Sequence, residues 1–297
     1  MVDWRVTPLV EFLGRDWNLV DIVTSIIVIS IHCLALLAPF QFTLDAFWLF
    51  VVLYFLTGLG ITLGYHRNLA HRSLKLRKEL EYFFAYCGVL TLQGSPVEWV
   101  STHRYHHQYT DTDKDPHSPI KGLWFSHIGW IFNHRLRFER YERRLKNADD
   151  LKRQPYYRFI HRTYVLHPVG FGVLLYALGG LPYLVWGTGV RTVVGLHVTF
   201  SVNSVGHIWG KRVWDTGDLS RNNWLLALPT LGEGWHNNHH AFDYSARQGL
   251  EWWEIDLTWY FIRFLEAAGL ATDVKTPTET QKKRKPLYNK TIEQKSE

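Results

Sequence analysis

Four apolar stretches constrain the fold of this 297-residue chain more than any other feature of it. They run from about Ile22 to Ala38, Ala46 to Gly64, Tyr164 to Trp186 and Val190 to Trp209. Each is near the ~17–25 residues that a bilayer-crossing helix needs. Hydrocarbon offers the backbone no water to bond, so apolar runs of this length imply helices that satisfy their own hydrogen bonds. An all-α integral membrane protein with four transmembrane helices is the expected fold. The first stretch ends in small residues, as a signal peptide would. Asp3, Glu11, Asp16 and Asp21 before it are unlike a basic leader, so it reads as an uncleaved span.

The connections set the orientation. Pro39–Asp45 and Gly187–Gly189 carry no Lys or Arg, whereas His134–Arg162 is dense in them and the tail adds Lys282, Lys283, Arg284 and Lys285. Positive charge stays on the cytoplasmic side, which puts both termini and the central connection there as a helical cap. The formal charge of +6 suits an anionic membrane surface, and no nucleic-acid partner is expected. Leu80–Leu92 is too short to span and reads as buried or re-entrant, and Trp252–Leu270 reads as an interfacial amphipathic helix. Cys33 and Cys87 lie in apolar runs and read as buried thiols. Residues 1–275 form one membrane domain with its cap. Residues 276–297 form a polar basic tail without expected order.

The chemistry lies in the histidines. One cluster is His66–Arg–Asn–Leu–Ala–His71, at the cap end of the second span. The others are His103–Arg–Tyr–His106–His107 and His236–Asn–Asn–His239–His240. Positions i, i+3 and i+4 share a helix face, so the last two words aim imidazoles at one point. In the fourth span Asn203 and His207 are i and i+4, a polar pair that membrane helices keep for function. Asn203 lies one turn deeper and would reach a metal through water. Imidazole suits zinc, copper, iron and nickel, and eight or nine of them exceed what one ion can use. Two ions in a histidine-rich dimetal site of the cap are the simplest arithmetic. Asp111, Asp113, Asp115, Glu98 and Glu233 are candidates to hold the ligands in place. His32, His127, His134, His161, His167 and His197 stand alone and are given no metal role. Asp111–Asp113–Asp115 imitates a calcium loop, but Pro116 and Gly122 replace its essential Gly and Glu.

The words around the histidines resemble the membrane fatty acyl desaturases, delta-9 branch, and look most like plant and cyanobacterial members. They are Gly64–Tyr–His–Arg–Asn–Leu–Ala–His–Arg–Ser73, Glu98–Trp–Val–Ser–Thr–His–Arg–Tyr–His–His107, Asp115–Pro–His–Ser–Pro119, Asn203–Ser–Val–Gly–His207 and Gly232–Glu–Gly–Trp–His–Asn–Asn–His–His–Ala241. The likeness runs from about Ile22 to Lys275. It implies an oxygen-dependent oxidoreductase that places a cis double bond in a saturated acyl chain carried as acyl-CoA or acyl-lipid. The cofactor it implies is two iron ions (Fe2+), bound by His66, His71, His103, His106, His107, His207, His236, His239 and His240, with Asn203 through water. It further implies O2 and an electron-donor protein of cytochrome b5 or ferredoxin type as partners. The implied location is a multi-pass membrane protein of the endoplasmic reticulum or of a thylakoid, plastid or bacterial plasma membrane.

By the same resemblance Gln93, Trp99, Thr199 and Phe200 wall a bent acyl tunnel. Gly58 deepens its closed end, and Tyr54 stops it. Ser101 and Thr102 stand where acyl-CoA members from animals carry charged residues, which opens the acyl-lipid option. A diiron membrane hydroxylase shares the ligands and is the alternative enzyme. A histidine-rich metal transporter is the alternative outside enzymes, disfavoured because the ligands sit at span ends rather than the midplane.

Overall fold

The structure is a computed structural model that describes Gly14 and residues 17–133 and 145–283. The described residues are mostly helical, with irregular connections, two isolated bridges (Lys211 with Asn222, Asn222 with Trp235) and one small antiparallel pair, Lys75–Leu76 against Ala271–Thr272. Arg140, Arg143 and Arg144 of the basic connection, and the tail from residue 284, lie outside the described residues. Glu279–Lys283, at the start of the tail expected to lack order, is helical.

Helix α1 (Leu19–Leu36) starts at a capping box between Asn18 and Asp21. It turns Ile22, Val23, Ile26, Ile29 and Leu36 outward. That apolar outer face suits a lipid environment. Cys33 is part of this exposed surface, not a buried thiol, while Cys87 is buried. An apolar run places a residue in the protein interior only if hydrocarbon is not available outside.

Helix α2 (Leu44–Leu59) opens on a Thr43 cap and runs without interruption into a π-helix, Gly60–Ala70. Helix α3 (Lys78–Val89) lies against that segment, and glycines permit the approach. A Cβ on Gly64 would meet the Phe84 backbone at 3.0 Å, and one on Gly88 would meet the Tyr65 ring at 2.7 Å. Helix α4 (Pro96–Tyr109) begins with a capping box between Ser95 and Glu98. Helix α5 (Leu123–His127) and the turn Gly129–Phe132 then pack Ile131 and Trp130 on Val28, Leu196 and Phe200.

Helix α6 (Leu166–Leu184) and helix α7 (Arg191–Ser204) are joined by a π-turn, Val185–Val190. Among the described residues, three helical stretches are long and apolar enough to cross a membrane: Leu19–Phe40, Leu44–Ala70 and Leu166–His207. The third is not straight. Gly180, at φ 65° and ψ −154°, breaks it in a region essentially reserved for glycine. A Cβ on Gly172 would then meet Leu184 and Thr188, and one on Gly187 would meet Leu175 at 2.7 Å. The chain therefore reverses at Gly179–Gly180 rather than at Gly187–Gly189. Gly187 and Gly189 sit inside the returning helix, where they admit Leu175, Leu34 and Ala35 closely.

Helix α8 (His236–Ala241) lies in the cap, and helix α9 (Leu257–Ala267) follows. Asp256 caps α9 by accepting from Trp259 N at 2.9 Å, so the helix starts five residues later than the apolar pattern suggests. Trp252 and Trp253 precede it and are exposed.

Candidate metal centre

Nine imidazoles converge in two groups. His66, His71, His103, His107 and His239 form one, and His106, His207, His236 and His240 form the other. Within each group the nearest ligand atoms lie within 4.8 Å of one another. Local structure accounts for each convergence. On α4 the i, i+3, i+4 spacing puts His103 and His107 in the first group and turns His106 to the second. His66 and His71 are five apart, about 140° around an α-helix. The π-helix corrects this: His71 N donates to His66 O at 3.1 Å, and an i→i+5 ladder brings position i+5 round to the same side. No pattern of residue types in the sequence signalled that change of pitch.

Arg104 ties the two carriers together. Its guanidinium donates to Leu69 O at 2.7 Å and Ala70 O at 3.1 Å, the end of the π-helix, and pairs with Asp150 at 2.9 Å. It points away from the metal side of α4 and fixes where His66 and His71 meet His103.

Carboxylates decide which ring nitrogen is free. Nδ1 of His66 faces Glu233 at 2.5 Å, His106 faces Asp115 at 2.9 Å, His207 faces Asp111 at 3.0 Å and His240 faces Asp218 at 2.9 Å. A carboxylate accepts, so each Nδ1 carries a proton, and in the neutral ring Nε2 is then the lone pair left for a metal. Burial raises these four carboxyls, but the facing imidazoles outweigh it and hold all four below the usual range. Glu233, which also faces Arg67, is held at about 2. Burial first, then repulsion between rings, pushes His103, His107, His236 and His239 well below the ordinary imidazole value. Neutral rings are what a metal requires.

The nitrogens then face one another with too few protons. His236 Nε2 is 2.9 Å from His207 Nε2 and 3.1 Å from His240 Nε2, both of them bare. One proton can serve only one of those contacts. His239 Nε2 stands likewise 3.2 Å from His66 Nε2 and 2.9 Å from His107 Nε2. A cation at each focus resolves both conflicts, so the residues fit a pair of metal ions.

Of the candidate supports, Asp111, Asp115 and Glu233 are in contact with the cage. Glu98 is used in the α4 cap, and the contact seen for Asp113 is its backbone oxygen accepting from Lys121. Asp218 was missed: it stands in a loop with no spacing relation to His240. His32, His197 and His127 lie elsewhere, in a chain with Nε2–Nε2 and Nε2–Nδ1 contacts of 3.0 and 2.9 Å that ends on Ser204. His161 bonds Ser95, and His167 bonds Thr163.

A cavity opens from His66, His103, His106 and His236. It follows one face of α2, past Ile61 and Gly58 to Tyr54, and one face of α7, past Asn203 and Thr199 to Arg191. Gln93 Nε2 donates to Thr199 Oγ1 at 3.0 Å and Trp99 Nε1 to Gln93 Oε1 at 3.3 Å, which makes a polar brace in its wall. Phe200 faces a neighbouring pocket with Trp130, Trp99 and Asn203.

The sequence profile of the fatty acid desaturase family matches residues 20–274. The chain is 56% identical over 271 residues to a palmitoyl-monogalactosyldiacylglycerol delta-7 desaturase, chloroplastic, of Arabidopsis thaliana, covering 91% of this chain and 73% of that one. It is 56% identical over 270 residues to delta-9 acyl-lipid desaturase 1 of the same plant, covering 91% and 88%. Against an acyl-CoA 5-desaturase of Anemone leveillei the identity is 58% over 279 residues, covering 93% and 86%.

Proposed function

The chain belongs to the fatty acid desaturase family, and from that premise we propose that it is a diiron enzyme placing a cis double bond at the delta-9 position of a saturated acyl chain. The observation that carries this is the division of nine imidazoles into groups of five and four at the head of one long cavity. His66, His71, His103, His107 and His239 hold one iron. His106, His207, His236 and His240 hold the other, with Asn203 one turn from His207 acting through water. When bound, the irons activate O2 and supply the oxidising power for two hydrogen abstractions. The residues do the rest. Glu233, Asp115, Asp111 and Asp218 hold the ring tautomers, the α2 and α7 faces align the chain, and the cavity walls exclude water. Tyr54, Gly58, Gln93, Trp99, Thr199 and Phe200 are the substrate contacts.

The balance needs an acyl chain, O2, two electrons and two protons, and gives the alkene and two waters. The electrons come from a cytochrome b5- or ferredoxin-type donor. A solvent-open polar pocket lined by His107, His240, Asp218 and Thr110 touches one ligand of each group, and the donor docks there. With the reversal at Gly180 we read the third apolar stretch as two crossings, for four spans within residues 1–275 and a cap on the cytoplasmic or stromal side. Relatives named chloroplastic support a plastid membrane. Relatives named for acyl-lipid and for acyl-CoA substrates leave both carriers in play, and the uncharged Ser101 and Thr102 favour the lipid.

Expression in a desaturase-deficient host, with double-bond positions read by mass spectrometry in each lipid class, tests the reading. A hydroxylated product under labelled oxygen, or double bonds at another position, would replace it.

A further inference from the structure

Arg67 and Arg191 are both buried, Arg191 in the cavity wall, and they are compensated differently. Arg67 faces the carboxylates of Glu233 and Asp256, each at 3.0 Å. Arg191, at the first turn of α7, is only 3% exposed, yet its hydrogen-bond acceptors are neutral oxygens. Its Nε donates to Gly187 O at 2.6 Å and Nη1 to Thr57 Oγ1 at 3.3 Å. Its Nη2 donates to Leu90 O at 2.8 Å and Thr192 Oγ1 at 3.3 Å. Thr57 gives its own proton to Leu53 O at 2.7 Å, so its oxygen is free to accept. The Phe171 ring lies against the guanidinium, 5.9 Å from its carbon, but no carboxylate among the described residues pairs with it, and a desolvated cation without a counter-charge is costly, more so between apolar helices.

Arg191 lines the cavity together with Thr57, Thr192 and Tyr54. The step from Asn203 back to Arg191 along α7 is about 18 Å at 1.5 Å per residue. This charged end is therefore remote from the imidazoles, at the place where an apolar chain would put its last carbons. The four bonds to neutral oxygens use four of the five guanidinium N–H groups. A methyl group cannot accept from the fifth, and an oxygen can.

We propose that the far end of the cavity is a polar subsite in which Arg191, with Thr57 and Thr192, receives an oxygen carried on the last carbon of the acyl chain. A methyl-terminated chain long enough to reach the guanidinium gives its remaining N–H no acceptor. An ω-hydroxyacyl chain of the same carbon count reaches it and is accepted at lengths where the methyl-terminated chain is refused. This rests on the cavity being the acyl site. A site built to bond a hydroxyl discriminates strongly against the analogue that lacks it.

The test feeds stearic and icosanoic acids and their ω-hydroxy counterparts to a desaturase-deficient host expressing the full chain. Conversion is read as unsaturated product over precursor within each lipid class. The expected result is an advantage of about tenfold for ω-hydroxyicosanoyl over icosanoyl chains, with little difference between the stearoyl pair. Arg191→Met, normalised to its own stearoyl conversion, loses that advantage and gains icosanoyl conversion, whereas Arg191→Lys keeps part of it. Equal conversion of the two icosanoyl chains by the wild type overturns the inference even if neither variant accumulates. So does an advantage that survives Arg191→Met. Failure to desaturate stearoyl chains at all defeats the acyl reading of the cavity, and this inference with it.

Discussion

Four imidazoles of the cage, His66, His106, His207 and His240, work through their second nitrogen as much as their first, because a carboxylate at Nδ1 favours a bare Nε2. Asp218 illustrates this. It accepts from His240 Nδ1 while its other oxygen accepts from Thr216 Oγ1 at 2.6 Å and Ser220 N at 2.9 Å. Asp218→Asn keeps the volume but can offer its NH2 to the ring, which favours the wrong tautomer. Activity should fall by about 10–100-fold with the protein still folded, and metal analysis should show a weakened second ion. Unchanged turnover would reduce Asp218 to a loop residue. His207→Ala removes one of four nitrogens outright. It should abolish desaturation and leave about one metal ion per chain against an expected two for the wild type, read by metal analysis of purified protein. A tenth of wild-type turnover remaining would show His207 to be a packing residue. Asn203→Ala, acting through water, should cost less.

At the scale of elements, sequence pattern and structure part company wherever helix pitch or a single dihedral angle decides the outcome. The His-x-x-His-His words of α4 and α8 were legible because an ordinary helix suffices to aim them. His66 and His71 were legible as ligand types, but only a π-helix brings them together, and pitch leaves no mark in residue order. The chain reversal was misplaced for a related reason. Gly179–Gly180 and Gly187–Gly189 look equivalent in composition, and only the first adopts a backbone that other residues resist. Gly180→Ala should therefore lower stability by about 1–3 kcal/mol, read by thermal unfolding in detergent, while a wild-type melting temperature would argue for a relaxed turn. Gly58 tests α2 itself. A Cβ there would meet Leu231 Cδ1 at 3.0 Å across the cavity. Gly58→Leu should consequently abolish conversion of longer chains while shorter ones are still desaturated at the same carbon. An equal loss at all lengths would make Gly58 a packing residue of α2.

At the scale of the whole molecule, the metal centre is where the membrane helices and the cap are joined. The π-helix and the end of α7 come up from the apolar layer, while α4, α8 and the Asp218 loop belong to the polar side, and every ligand group draws on both. Bare nitrogens held about 3 Å apart repel, so the energy of binding the ions is also the energy that closes the cap on the helices. Two roles follow, and they separate by choice of metal. Zinc accepts imidazole ligands but has no redox chemistry. Chelation of the purified protein should lower its unfolding temperature and expose the loop around Asp218 and the α8 segment to protease, while α1 and α2 remain helical. Adding ferrous iron should restore both thermal stability and desaturation. Adding zinc should restore stability and protease resistance but no turnover. A chelated protein that unfolds at the same temperature as the loaded one would show that the cap closes without the ions. Turnover regained with zinc would remove redox chemistry from the reaction altogether.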